Sequence, residues 1–206
     1  MPNDALILVD IQKDFLPGGA LAVPDGHQVV PVANRLMSQF ELVVATQDWH
    51  PPDHGSFASQ HEGRAVGELI DLNGLEQRLW PDHCVQGTTG AEFASELRTA
   101  GINHAFPKGT DPAIDSYSGF FDNERRQSTG LDEFLRETGV NRTCILGLAT
   151  DYCVKFTALD SIRLGFDTVL IEDGCRGVNL QPEDSRRAID ELRCAGVSII
   201  QSTGAT

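Results

Sequence analysis

Apolar residues along the chain gather into short continuous runs separated by amphipathic stretches. Runs at residues 5–9, 42–46, 102–106, 143–148, 168–171 and 197–201 predict six strands. They are unbroken rather than alternating, the pattern of strands buried on both faces of a parallel sheet. Helical spacing between them predicts helices at 28–40, 92–100, 131–138, 152–164 and 182–195. Gly101, Gly139, Gly165 and Gly196 each follow one of these, where a helix-ending glycine belongs. The alternation is that of a doubly wound α/β domain. Residues 51–90 break it with many Gly, Pro and His and little regular pattern; a segment that long in a compact domain is usually functional.

Size and charge narrow the function. The 206 residues suit one core, so a single domain over 1–206 is expected, with a loop insertion at about 48–90. A net charge of -14 argues against a nucleic-acid surface, which would be basic. No apolar run reaches a membrane span, and LILVD near the start is too short for a signal peptide. The five cysteines are odd in number, scattered and free of a CxxC pair, which fits a reducing cytoplasm.

Three residues at strand ends carry the chemistry. Cys153 follows the fourth run, in the first turn of a helix that Thr150 or Asp151 would cap. The helix dipole and backbone amides there favour a thiolate and can bind an oxyanion. An arbitrary cysteine is more often a small core residue; two ionisable neighbours at adjacent strand ends reverse that here. Asp10 closes the first run and suits a general base for the thiol. Lys108 closes the third and would position both negative groups. Asp48 and His50 share one side of an extended segment and can chelate one ion, with His83 completing a facial set. His54 and His61 are further candidates in the same loop. Phe15, Leu21, Trp80 and Tyr117 can wall a pocket for a flat substrate.

In chain order, VDIQKDFLPGGALAV, ATQDWHP, WPDHCVQGT, FPKGTD, YSGF and LGLATDYCV resemble the nicotinamidases of the isochorismatase-like cysteine hydrolase superfamily. The resemblance implies a three-layer α/β/α sandwich on a six-stranded, mostly parallel sheet. It implies a triad of Asp10, Lys108 and Cys153, an oxyanion hole from the amides of Ala149 and Cys153, and a cis peptide between Leu148 and Ala149. It implies one divalent ion on Asp48, His50 and His83, zinc foremost with iron or manganese as alternatives. His54, Ser56, His61 or water would complete the shell. Phe15, Leu21, Trp80 and Tyr117 would line the substrate pocket. The implied reaction converts nicotinamide to nicotinate and ammonia through a thioester, in NAD salvage, with pyrazinamide as an analogue substrate. The partner is then a small molecule rather than nucleic acid or membrane, and a homo-oligomer is compatible with it. The rival readings are a related hydrolase of another small amide and a non-catalytic ligand-binding domain.

Overall fold

Six strands form one parallel sheet: β1 (Asp4–Val9), β2 (Leu42–Asp48), β5 (His104–Lys108), β6 (Arg142–Leu148), β7 (Asp167–Arg176) and β8 (Ser198–Ile200). A separate antiparallel pair, β3 (Leu69–Leu72) and β4 (Leu75–Arg78), lies between β2 and β5 in the chain. The computed structural model describes residues 3–204; residues 1–2 and 205–206 of the expected domain lie outside the described residues. The order across the sheet is β5-β2-β1-β6-β7-β8. The chain builds outward from β1 to β2 and β5, then returns to the other side of β1. That reversal is the switch point at which open α/β sheets leave a crevice beyond the strand ends. Residues 5–9 of β1 are fully buried, as its unbroken apolar run requires.

The helices α1 (Val29–Met37), α2 (Leu131–Glu137), α3 (Lys155–Arg163) and α4 (Asp184–Cys194) cover the sheet in the expected α/β/α arrangement. Three expectations need correction. Residues 92–100 form no α-helix. Gln12 bridges Phe93, the Ala94 N–H donates to Ile11 O at 2.9 Å, and only a 3₁₀ turn, Thr99–Gly101, follows. Backbone partners from the β1 end outweigh the local helical propensity there, which tertiary context routinely overrides. Second, the loop insertion holds the β3–β4 hairpin, turned by Asn73-Gly74, a dipeptide suited to two positive φ angles (54° and 90°). Third, neither Thr150 nor Asp151 caps a helix. A π-helical turn, Thr150–Val154, precedes α3, and it has no side-chain cap. Asp151 instead accepts the N–H groups of Val178 (2.9 Å) and Asn179 (2.7 Å).

Beside the crevice, Gly147 of β6 lies opposite Val9 with φ 132°. A Cβ there would overlap the Val9 backbone, on a strand with no room to retreat. Gly147→Ala should therefore cost roughly 2–4 kcal/mol through backbone strain and overlap. Urea denaturation reads this directly, and an unchanged midpoint would refute the close approach.

Candidate active site

Lys108 is the hub of the crevice. Its side chain is fully buried at the end of β5, a position no lysine occupies without partners. Its Nζ donates to Asp48 Oδ1 at 2.5 Å, to the Ser116 carbonyl at 2.8 Å and to Cys153 Sγ at 3.4 Å. Asp10 Oδ2 lies 3.0 Å away as an ion-pair partner. Burial opposes the ammonium, but Asp10 and then Asp48 outweigh it and hold the amine well above its ordinary range. Lys108 is thus a permanent cation binding two carboxylates and one thiol.

Asp10 leaves β1 with a left-handed φ of 47°. Its Oδ1 accepts the Thr46 hydroxyl at 2.6 Å, while Oδ2 has no aligned hydrogen bond. Burial pushes Asp10 up to about 6, with Lys108 opposing and Asp48 adding to the rise. Cys153 Sγ and one carboxylate oxygen from each of Asp10 and Asp48 lie within 4.8 Å of one another. Burial drives the Cys153 thiol well above its usual range; Lys108 opposes this, and Asp10 and Asp48 reinforce it. Burial thus opposes the thiolate that the helix position favours, beside a carboxylate with an open lone pair. Burial and two nearby negative charges act against the helix dipole, and Lys108 acts with it. The Leu148–Ala149 peptide is cis, as the resemblance implies.

Asp48, His50 and His83 converge as expected, all buried. The Nε2 atoms of His50 and His83 lie 3.8 and 3.9 Å from Asp48 Oδ2. Each ring is held from behind. His50 Nδ1 meets Gly109 O at 2.9 Å and His83 Nδ1 meets Pro81 O at 2.7 Å. A carbonyl partner fixes the proton on Nδ1 and leaves the Nε2 lone pair facing the carboxylate, the usual outer support of a ligating histidine. Gly109 (φ 63°) is required, because a Cβ there would enter the His50 ring. Burial, followed by the charge of His50, lowers His83 to about 4, which keeps it neutral. Burial also opposes a charged His50, yet Asp48 outweighs it and raises that ring. Two neutral-capable imidazoles and one carboxylate fit a borderline divalent cation. His54 instead groups with His50 and Asp115; its Nδ1 is engaged by Ser56, and its buried Nε2 has no partner among the described residues. His61 spends Nε2 on Gly55 O at 2.8 Å.

Phe15, Leu21, Trp80 and Tyr117 line the cavity between these groups, together with Ala149 and Cys153. Trp80 donates its indole N–H to the Tyr117 hydroxyl at 3.1 Å. Sequence reasoning missed Asp115, Tyr152 and Val178, which share the lining. It also missed Gln12, whose side-chain amide clamps both backbone groups of Asp48 at 2.8 Å. The only sequence signal for Gln12 was a polar residue two positions after Asp10, within a buried segment.

The isochorismatase domain family matches residues 4–203. The chain is 53% identical over 205 residues to the nicotinamidase of Escherichia coli strain K12, covering 97% of this chain and 95% of that one. A solved Acinetobacter nicotinamidase/pyrazinamidase superposes with a TM-score of 0.96 at 43% identity, covering 100% of this chain and 99% of that one. A Pyrococcus horikoshii pyrazinamidase solved in complex with zinc gives 0.79 at 40% identity, covering 97% and 99%. With the strand-end constellation on the sheet that carries it, these likenesses place the protein: the chain belongs to the isochorismatase family.

Proposed function

We propose that this protein is a nicotinamidase, hydrolysing nicotinamide to nicotinate and ammonia through a thioester on Cys153. The observation that carries this reading is the buried contact of one ammonium, Lys108, with Asp10, Asp48 and the Cys153 thiol. A binding module has no need of a nucleophile held against a base, and the 53% identity to a nicotinamidase points the same way. Asp10 takes the thiol proton through its open Oδ2 as the sulfur attacks the carboxamide carbon. The backbone amides of Ala149 and Cys153 receive the oxyanion. Asp10 returns the proton to the departing ammonia, and water then hydrolyses the thioester with Asp10 again as base. Lys108 keeps both negative groups in place throughout. Phe15, Leu21, Trp80 and Tyr117 hold the flat ring and exclude water.

Asp48, His50 and His83 would hold a divalent cation, zinc being supported by the zinc-bound Pyrococcus pyrazinamidase. When bound, such an ion supplies a Lewis-acidic anchor for the pyridine nitrogen. Ammonia release from nicotinamide tests the reading. No release from nicotinamide, with release from another small amide, would transfer the assignment to a related hydrolase. Asp10→Asn should lower turnover by about 10³-fold, because an amide cannot carry the proton in either direction. Its circular dichroism should match the parent, since Asn preserves the Thr46 bond; near-parental turnover would remove Asp10 as the base.

A further inference from the structure

Asp14, the second acid of the DIQKDF segment, touches none of the reacting groups, yet three parts of the site meet on it. It sits in the 3₁₀ turn Lys13–Phe15. Its Oδ2 accepts the Cys84 N–H at 2.7 Å, and Oδ1 accepts the Ala20 N–H at 3.2 Å. Its own carbonyl accepts the Leu21 N–H at 3.0 Å. Cys84 directly follows His83 and takes a left-handed φ of 47°, which a non-glycine residue holds only when its surroundings impose it. The other end of Cys84 is also in use, since its carbonyl accepts the His50 N–H at 3.0 Å. One peptide unit on each side of Cys84 therefore ties Asp14 to His83 and to His50.

The surroundings are cut to fit this carboxylate. A Cβ on Gly90 would overlap the Asp14 carboxyl group, and one on Gly19 would overlap the Asp14 main-chain carbonyl. The Asp14 turn is itself fastened by Lys13, whose N–H donates to Glu92 O at 3.0 Å and whose ammonium pairs with Glu92 at 2.6 Å.

We propose that Asp14 is a positioning residue for the metal site: through the strained Cys84 it sets where the His83 and His50 imidazoles stand relative to Asp48. The same side chain through Ala20, and the Asp14 carbonyl through Leu21, fix the loop that brings Leu21 to the pocket. The proposal rests on Asp48, His50 and His83 being a metal site, and its test separates the two claims.

Zinc affinity of the stripped full-length protein is measured by competition with a chromogenic chelator, for the parent, Asp14→Asn, Gly90→Ala and His83→Ala. Circular dichroism and thermal midpoints are recorded alongside. Outer supports of metal ligands commonly contribute about 10–100-fold in affinity. Asp14→Asn keeps the volume but places an amide N–H against one of the two backbone donors, so zinc should bind at least about 10-fold more weakly. Gly90→Ala leaves Asp14 chemically intact but displaces it, and should weaken zinc by at least as much. A merely structural role would lower the midpoint and leave zinc affinity of the folded protein unchanged. Parental affinity in both variants, with His83→Ala impaired, overturns the positioning role. Parental affinity in His83→Ala overturns the metal site itself, and the proposal with it.

Discussion

Replacing Cys153 by alanine should lower ammonia release from nicotinamide by about 10⁴-fold or more while leaving the fold intact. Nucleophile removal commonly costs this much because no other group can form the covalent intermediate. Structural cost should be small. The side chain is short, it lines an existing cavity, and Lys108 keeps its ion pairs with Asp10 and Asp48. A loss of about 1 kcal/mol is expected from removing one buried sulfur. The other buried cysteines give the control. Cys84, Cys144 and Cys175 are all buried, and burial is the first cause holding each thiol above its ordinary value. Among the described residues, none of them has an ammonium hydrogen-bonded to its sulfur. Cys144→Ala should therefore keep turnover within about threefold while losing a comparable amount of stability from a similar cavity. Residual turnover above a hundredth of the parent in Cys153→Ala would mean that the sulfur is not the nucleophile.

The site was legible in the sequence where local chain geometry decided it. Asp10, Lys108 and Cys153 all lie at ends of unbroken apolar runs, and a parallel sheet must bring such ends to one edge. Asp48 and His50 followed from the two-residue repeat of an extended segment. Legibility failed where a distant partner decided the outcome. Residues 92–100 carry plausible helical spacing, yet Ile11 and Gln12 draw them into backbone bonds across the molecule. Asp151 has the composition of a cap but serves the Val178 loop, 27 residues away. The surroundings of the Cys153 sulfur were hidden for the same reason. A helix N-terminus is visible in sequence, whereas the depth of burial and the approach of Asp48 are not. Tyr152, Val178 and Asp115 reach the cavity from three separate segments, and no spacing rule links them. The hairpin β3–β4 is a different kind of miss, since Asn73-Gly74 between short apolar stretches was a local signal.

Removing the metal should separate anchoring from chemistry. With the divalent ion stripped, or in His83→Ala, KM for nicotinamide should rise about 10–100-fold, because in the proposed mechanism the ring nitrogen then loses its ligand. Benzamide has no ring nitrogen, so its kcat/KM should change by less than about threefold. The contrast follows from the division of labour in the crevice. In the proposed mechanism Cys153 supplies the nucleophile, and Lys108 donates to its sulfur at 3.4 Å. A metal-bound hydroxide would serve both amides equally, and its loss would lower kcat for each. The neutral His83 also matters, since its ring is held by Pro81 and can leave the site without exposing a charge. His83→Ala should therefore remain folded, and its zinc content after dialysis should fall below a tenth of an equivalent, a level of roughly background occupancy. Equal losses for nicotinamide and benzamide would rule out ring anchoring and assign the ion a direct part in the hydrolysis.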